Sequence, residues 1–146
     1  MLRSGYNNVQ EDNVFSFYST GTKGIIVMAV KFTIIENNVY NLALGWFNED
    51  IKDFDYDNLL GNGDGLRIFQ TVADCIIKFL NDDPESSVHV EGNWWKKTTN
   101  YCKLITRNIE AIKKDYRVSA LNGNTKKWTD FAGECDKYIA FRAKRK

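Results

Sequence analysis

A dense run of β-branched and aromatic residues, Ile25-Ile-Val-Met-Ala-Val-Lys-Phe-Thr-Ile-Ile35, decides the fold of this chain. Its composition predicts a strand that is buried on both faces. The turn Glu36-Asn-Asn38 follows, and Val39–Phe47 then alternates apolar and polar residues. Together with a short strand predicted at Val14–Ser19, these segments predict an antiparallel meander. The residues expected on one face of its last strand are Tyr40, Leu42, Leu44 and Trp46.

The next segment is predicted to connect the meander to a helix. Residues 48–64 are acidic and rich in asparagine and glycine, which favours an irregular connection. From Leu66 to Leu80, apolar residues recur at helical spacing, and Pro84 lies just beyond the end of the pattern. The side chains predicted to face the core are Leu66, Phe69, Ala73, Ile76, Ile77 and Leu80. Those predicted to face solvent are Arg67, Gln70, Asp74 and Lys78.

Strands and a helix alternate over the rest of the chain. Residues 88–91 predict a fourth strand, and a second helix is predicted from Asn93, its capping residue, to about Lys114. Alternation predicts a fifth strand at Tyr116–Leu121. A short helical turn is predicted around Trp128–Gly133, and a closing strand at Tyr138–Arg142.

The predicted fold is a single α+β domain that spans residues 1–146. Its mixed sheet follows the order strand-strand-strand-helix-strand-helix-strand, in which alternating helices and strands indicate crossovers onto a partly parallel sheet. The same order occurs in the ribonuclease H-like fold. Since element order is weak evidence for function, each candidate site has to be argued from its own residues.

Composition excludes a strong global electrostatic field. The chain has 20 basic and 19 acidic side chains and a net charge of +1, so any preference for nucleic acid has to come from a local patch. No apolar run reaches the roughly 18 residues of a membrane span, and no signal peptide is recognisable. We therefore expect a soluble, cytoplasmic protein without membrane partners. The widely spaced Cys75, Cys102 and Cys135 are predicted to be buried free thiols in a reducing compartment.

The leading candidate site is the junction of the fourth strand with the second helix, Val88-His-Val-Glu-Gly-Asn-Trp-Trp-Lys-Lys-Thr-Thr-Asn-Tyr101. The N–H groups at a helix start and the helix dipole favour anions there. The cations that fall within a sector of roughly 40° on this helix, at about 100° per residue, are Lys96, Lys103, Arg107 and Lys114. Such a stripe could follow a phosphate backbone, and Trp94 or Trp95 could stack on bases. The alternative is a solvated helix side with both tryptophans in the core.

Two loops resemble ligand-binding loops only in part. The segment Asp53-Phe-Asp-Tyr-Asp57 alternates carboxylates as in a calcium-binding EF-hand loop, but Asn58 stands at the position of the required glycine. The loop Gly61-Asn-Gly-Asp-Gly65 lacks the lysine and hydroxyl residue of a P-loop. Asp64 is therefore predicted to cap the first helix. No metal and no cofactor are predicted.

No catalytic residues are predicted either. A two-metal nuclease needs converging carboxylates, whereas the first strand has no acid and the available ones, Asp74, Glu91 and Glu110, are dispersed. His89 is the only histidine and shares a strand face with Glu91, with which it could exchange protons. No serine or cysteine is placed as its nucleophile. A structural or exposed histidine is the favoured interpretation.

Several motifs extend from about Phe15 to Lys146 and carry a resemblance. They are Gly24-Ile-Ile26 with Val30-Lys-Phe32, Val39-Tyr-Asn-Leu-Ala43 with Asn48-Glu-Asp50, Asn62-Gly-Asp64 with Thr71-Val-Ala73, and Tyr138, Phe141 and Lys144-Arg-Lys146 at the end of the chain. On these motifs the chain resembles an uncharacterised family of short bacterial proteins of unknown function.

In that family the strand-to-helix junction reads glycine, serine or threonine, and then Arg-Thr-Arg-Leu-Tyr. This chain keeps Gly92, Thr98 and Tyr101, but Lys97 stands for the first arginine and Thr99-Asn100 for Arg-Leu. Lysine keeps the charge but lacks the bidentate geometry of arginine. The resemblance implies no activity. It implies that the junction is functional and that an anion site there is weaker in this chain.

We therefore expect a non-enzymatic binding module that contacts nucleic acid or another anionic partner through the basic helix face. Its predicted site consists of Gly92, Asn93, Trp95, Lys96, Lys97, Lys103, Arg107 and Lys114. The basic end of the chain, from Arg142 to Lys146, could add affinity for phosphates, although short basic tails are generally solvated. The alternatives are a protein-interaction component of a bacterial toxin–antitoxin or defence module, which would use Trp94, Trp95 and Trp128, and a divergent metal-dependent nuclease.

Overall fold

The computed structural model describes residues 5–58, 61–91, 102–103, 105–133 and 135–146. Within these ranges, nine strands form one mixed sheet. The strands are β1 (Val9–Glu11), β2 (Val14–Gly21), β3 (Gly24–Glu36), β4 (Val39–Asn48), β5 (Asp53–Asp55), β6 (Ser87–Glu91), β7 (Tyr116–Asn122), β8 (Trp128–Asp130) and β9 (Tyr138–Arg145). The helices are α1 (Gly65–Asp82) and α2 (Ile109–Asp115), with a 3₁₀ turn at Cys135–Lys137 and further helical residues at 102–103 and 105–107.

The predicted meander is confirmed, because β2, β3 and β4 pair antiparallel. In the middle of β3, the consecutive residues Met28, Ala29 and Val30 are all buried. The prediction that the whole strand is buried is wrong, since Ile25 and Ile34 are 74% and 58% exposed. The 13 residues of β3 extend over about 43 Å. The 18 residues of α1 extend over only about 27 Å and cannot cover both ends of the strand.

Helix α1 packs on the meander through Phe79. The Phe79 ring stacks on Phe32, with 4.3 Å between the ring centroids, and meets Tyr40 edge-on at 4.9 Å. The predicted bounds of the helix are confirmed to within two residues. Packing of three aromatic rings at one contact stabilises the helix on the sheet more than helix propensity alone does.

The predicted core face of α1 is confirmed only in part. Leu80 is fully buried, and Phe69, Ile76 and Ile77 pack against the core, but the prediction is wrong at two positions. Leu66 is 48% exposed, whereas Gln70 is buried. The buried residues of the helix are Ile68, Gln70, Thr71, Val72, Cys75, Phe79 and Leu80. Thr71 is covered by the segment before β1, since the Tyr6 N–H donates to Thr71 Oγ1 at 2.8 Å and a Cβ on Gly5 would lie 2.6 Å from the Thr71 nitrogen. Helical periodicity alone cannot reveal that a distant segment covers one side of a helix.

The C-terminal part of the chain completes the sheet. The strands predicted at residues 88–91, 116–121 and 138–142 are confirmed as β6, β7 and β9. β6 pairs parallel with β4, and β9 pairs antiparallel with both β6 and β7. β6 and β7 therefore run in the same direction, with β9 inserted between them.

The predicted fold class is wrong. In the described ranges the nine-stranded sheet dominates, in the order β1-β2-β3-β4-β6-β9-β7-β8 with β5 on β4, and β4–β6 is its one parallel pair. The α+β, ribonuclease H-like order is not found, because β9 separates β6 from β7. The strands that the prediction missed, β1, β5 and β8, have three residues each, which is too short to produce a recognisable alternation. The helical turn predicted around Trp128–Gly133 is also wrong. Trp128–Asp130 forms β8, which pairs with β7 and is too short to produce an alternating pattern.

The cysteines differ from the prediction as well. Cys102 and Cys135 form a disulfide bond, so the prediction of three free thiols is wrong for this pair. The bond joins the helical residues 102–103 to the 3₁₀ turn that precedes β9. Cys75 is a buried free thiol, and burial raises its pKa to about 12, so that it carries no thiolate character near neutral pH.

No helix in the ranges given above is long and apolar enough to cross a membrane. The absence of membrane partners and a cytoplasmic location both stay predictions.

Replacing both bridged cysteines, as Cys102→Ser with Cys135→Ser, should lower the free energy of unfolding by about 4 kcal/mol, because a cross-link between residues 33 apart restricts the unfolded chain. Urea unfolding without reductant measures this change. As a direct control, alkylation of the unfolded wild-type protein followed by intact mass analysis should modify only Cys75 before reduction and all three cysteines after it. Modification of all three without a reductant would contradict the disulfide.

Candidate functional site

The predicted anion site is only partly within the described residues. Outside them lie Gly92, Asn93, Trp95, Lys96 and Lys97, together with Trp94. The remaining predicted cations, Lys103, Arg107 and Lys114, are all exposed. The described part of the predicted site therefore consists of these three exposed cations.

The predicted second helix is interrupted at Asn108, which lies in a turn between the helical residues 105–107 and α2. The Asn108 N–H donates to the Ile105 carbonyl at 3.1 Å, and the Ile112 N–H donates to the Asn108 carbonyl at 3.0 Å. The narrow sector predicted for one continuous helix therefore does not extend to Lys114. Lys114 and its neighbour Lys113 lie in the last turn of α2, where the helix dipole favours cations.

A second group of cations lies where α2 passes into β7. Arg117 on β7 and Lys144 on β9 are directly opposite each other, so their exposed side chains share one face of the sheet. The Lys146 N–H donates to the Asp115 carbonyl at 2.8 Å, which places the end of β9 beside the last turn of α2. We name this group the basic corner, and it consists of Lys113, Lys114, Arg117, Lys144 and Lys146.

The basic corner is electrostatically unbalanced. Like charges on directly opposite residues of two strands destabilise their pairing. Within the part of the chain that the structure describes, the ion pairs involve His89 and Arg142, and none involves the basic corner, although Asp115 follows Lys114 in sequence. Arg145 differs, because its Nη1 donates to Asn81 Oδ1 and approaches the Tyr116 hydroxyl at 3.5 Å. The positive charge of the corner is therefore open to an external anion.

Arg142 lies on the same face of β9 as Lys144, two residues earlier, and contacts side chains from three other strands of the sheet. Its Nε donates to Nδ1 of His89 on β6 at 3.0 Å, and its Nη2 lies 3.1 Å from Glu36 Oε1 at the end of β3. The guanidinium lies over the Trp128 ring on β8, at 4.7 Å from the centroid. Arg142 is thus a fixed cation beside an aromatic ring.

His89 has a structural role in this arrangement. The predicted common face with Glu91 is confirmed, and Glu91 Oε2 lies 3.8 Å from His89 Nε2. Burial and the Arg142 charge lower the pKa of His89 below its ordinary value of 6.5, although Glu91 and Glu36 act in the opposite direction. The neutral imidazole can therefore accept the Arg142 hydrogen bond at Nδ1. No serine or cysteine among the residues with described side chains forms a hydrogen bond with it.

Asp64 is the N-cap residue of α1, as predicted, and its carbonyl accepts from the Ile68 N–H at 3.0 Å, but its side chain makes no capping hydrogen bond with the described part of the helix. The Tyr6 and Ser19 hydroxyls donate to Asp64 Oδ2 at 2.6 and 2.5 Å, while Oδ1 is buried and accepts no hydrogen bond from the residues that the structure describes. The neighbouring Asn62 is 2% exposed, and its Nδ2 donates to Ser19 Oγ and to the Gly24 carbonyl at 3.0 and 3.1 Å. The glycine loop is therefore fixed to the β2–β3 hairpin by internal polar contacts.

In the acidic loop, the Asp55 carboxylate binds backbone groups of the loop itself. Asp55 Oδ1 accepts hydrogen bonds from the backbone N–H groups of Asp57 and Asn58 at 2.9 and 3.1 Å. The Asn58 side chain and the Asp57 N–H hold the pKa of Asp55 below its ordinary value. Among the residues the structure describes, no three metal-ligating side chains come together, and Asp74, Glu91 and Glu110 lie on three separate elements.

An apolar cavity of about 80 Å³ lies between α1, the helical segment that precedes β7, and the sheet. The side chains that contribute to its walls include Val72, Ile76, Ile112, Val118 and Phe141. Polar groups that would orient a ligand do not contribute to its surface.

Sequence reasoning missed Arg117 and the contact between Arg142 and Trp128. Alternation along residues 116–121 and 138–142 places Arg117 and Arg142 on the polar faces of their strands, which the sequence alone indicates. It could not show that β9 pairs with β7 in the register that brings Arg117 to Lys144. The contact of Trp128 with Arg142 depends in addition on β8, a strand without a sequence pattern.

The free energy of unfolding should decrease as the pH falls below 6.5, because the lowered pKa of His89 in the folded state lets the unfolded state bind the proton first. Above the pKa that His89 has in the unfolded state, about 6.5, its contribution to the free energy of unfolding is fully present. NMR titration of the single imidazole should give a pKa below 6.5 in the folded protein, and a value at or above 6.5 would refute the buried, Arg142-bound geometry. A His89→Gln variant should lose this part of the pH dependence.

An Asn62→Ala substitution should lower the free energy of unfolding by about 2–4 kcal/mol, since it removes three hydrogen bonds and leaves buried partners unsatisfied. Urea unfolding followed by tryptophan fluorescence measures the effect. Asn37→Ala at an exposed turn is the matched control and should change the stability by less than about 0.5 kcal/mol. Equal effects of the two substitutions would show that the Asn62 network does not stabilise the loop.

Comparison with known proteins identifies the family of the chain. No curated protein and no solved structure shows detectable similarity to the chain. The predicted resemblance to an uncharacterised family is confirmed, because residues 4–146 match the model of the family of unknown function DUF6934. The chain therefore belongs to the DUF6934 family.

Proposed function

We propose that this protein is a non-enzymatic module that binds nucleic acid through its phosphates. The binding surface consists of the basic corner together with Lys103 and Arg107 on the preceding helical residues. The proposal keeps the helix cations of the sequence-based prediction and adds Arg117, Lys144 and Lys146 from β7 and the end of β9.

The observation that carries the proposal is the directly opposed pair Arg117–Lys144, which no carboxylate of the described chain neutralises. A free protein loses stability by holding two cations side by side on one sheet face. A polyanion removes this cost, and it also releases the counterions condensed on its own phosphates. The local charge is notable because the net charge of the whole chain is only +1.

The distribution of the cations favours a polyanion over a small anion. Lys103, Arg107 and Lys114 lie on two successive helical segments, whereas Arg117 and Lys144 lie on neighbouring strands. All five side chains are exposed, and none of them lines the apolar cavity described above. A ligand with several phosphates in a row can bind such a surface at several points, and each neutralised phosphate adds to the salt dependence of binding.

The test is charge reversal at two places on this surface. Arg117→Glu with Lys144→Glu should weaken binding of a labelled oligonucleotide about tenfold or more. The slope of log affinity against log salt should also become shallower, by about 0.7 for each phosphate of a single strand that the variant no longer neutralises. Lys103→Glu with Arg107→Glu should act in the same direction. Fluorescence anisotropy at several salt concentrations measures both quantities.

Lys23→Glu with Lys52→Glu is the matched control, because it changes the net charge equally at two exposed turns, between β2 and β3 and between β4 and β5. This control should retain nearly wild-type affinity. An equal decrease in affinity for the control and for the basic-corner variant would show that net charge alone governs binding. Unchanged affinity in both site variants would refute the proposed surface.

A protein-interaction component is the second candidate function, and one observation favours it. Tyr18 and Ile25 are 64% and 74% exposed and lie near each other on the same sheet face of the β2–β3 hairpin, beyond the part of β2 that pairs with β1. Exposed apolar side chains next to a sheet edge suit a protein partner. Recovery of one stoichiometric partner at high salt, abolished in a Tyr18→Ala variant, would support this function over nucleic-acid binding.

A further inference from the structure

We infer that the nucleic acid bound here is single-stranded and that one of its bases stacks on Trp128. This inference rests on the proposed function and specifies the ligand of the same surface. It is carried by the position of Trp128 and Arg142 relative to the basic corner.

The aromatic ring and the cations form one continuous track on the sheet. Trp128 is opposite Leu121 on β7, and Leu121 is opposite Ala140 on β9. From Ala140, the residues that share this face along β9 are Arg142 and then Lys144, which covers about 13 Å at the usual rise of a strand. Arg117 lies beside Lys144 at the far end. The track thus begins with an aromatic ring and continues into phosphate-binding side chains.

Trp128 is fixed in place but remains accessible. The Arg142 guanidinium lies over the ring at 4.7 Å, and the His89 ring meets it at 5.8 Å and an interplanar angle of 66°. The residue is still 37% exposed, on an edge strand whose three residues are all exposed. A tryptophan that is held by its neighbours loses little side-chain freedom when a base stacks on its accessible surface.

This geometry selects a single strand over a duplex. The bases of a duplex are stacked on one another and paired, whereas the bases of a single strand are free to stack on a protein aromatic ring. Proteins that bind single strands combine such aromatic platforms with a positively charged path for the backbone. The open sheet face from Trp128 to Lys144 provides both.

Three acidic side chains, Glu36, Glu91 and Asp130, lie near the track, and only Asp130 is expected to oppose binding of a phosphate. Glu36 and Glu91 are engaged with Arg142 and His89. Asp130 lies on the same face, because it is opposite Ser119, which in turn is opposite Arg142. Among the described side chains, Asp130 has no ion-pair partner, so its charge should repel a passing phosphate. Removing that charge should therefore strengthen binding.

The experiment compares anisotropy titrations of a labelled oligo-dT or oligo-U strand and of a duplex of equal length. Trp128→Ala should weaken binding of the single strand about tenfold, since base–aromatic stacking contributes on this scale, and should leave the salt slope unchanged. Asp130→Asn should strengthen binding. Tyr18→Ala is the matched control, because Tyr18 is an exposed aromatic residue on the same sheet face but on β2, and it should have no effect.

Trp128→Phe keeps an aromatic ring, so it shows whether an effect of Trp128→Ala comes from loss of the ring or from a folding defect. It should bind the strand nearly as well as the wild type, while the oligonucleotide should quench a smaller part of its tryptophan fluorescence. Wild-type affinity in Trp128→Ala, or an equal decrease for strand and duplex, would overturn the stacking inference even where Arg117→Glu with Lys144→Glu weakens binding. Absence of binding by every oligonucleotide at low salt would overturn the proposed function and the inference together.

Discussion

Backbone hydrogen bonding by β9 is the constraint on which the rest of the structure depends. β6 and β7 run in the same direction and are separated by the width of one strand, so each would otherwise expose a row of unpaired N–H and C=O groups. β9 fills the space and pairs antiparallel with both strands. It thereby joins the N-terminal meander and the C-terminal β7–β8 pair into one sheet. The same strand carries Arg142 and Lys144, so the candidate surface and the continuity of the sheet have one origin.

The two sides of the sheet have different physical roles. One side is packed by α1, whose Phe79 contacts the rings of Phe32 and Tyr40, and apolar burial dominates there. On the opposite side, β6, β7, β8 and β9 contribute charged and aromatic residues. Arg142 is satisfied by His89, Glu36 and Trp128, whereas Arg117 and Lys144 have no counter-charge among the described residues. A fixed arginine next to unneutralised cations provides rigidity and attraction for an anion in one place.

Much of the strand and helix pattern could be predicted, because it follows from local periodicity. Strands β2, β3, β4, β6, β7 and β9 and helix α1 were recognised from alternation or helical spacing. Three-residue strands leave no such pattern, and β1, β5 and β8 were therefore missed. Helical spacing does not show that Gly5 and Tyr6, which are about 65 residues away in the chain, pack on Thr71. The Cys102–Cys135 bond was missed for the same kind of reason, since spacing alone does not show which thiols meet.

The sequence by itself determined the antiparallel meander, the length of α1, the confirmed strands and the membership of the DUF6934 family, because these depend on local composition and on motifs. It also indicated that cations gather toward the end of the chain. Only the tertiary structure decided that the sheet dominates the fold, that β9 lies between β6 and β7, and that Lys144 opposes Arg117 while Arg142 contacts Trp128. The physical reason is that strand pairing and register are set by hydrogen bonds and packing between distant segments, and no window of sequence contains both partners of such a contact.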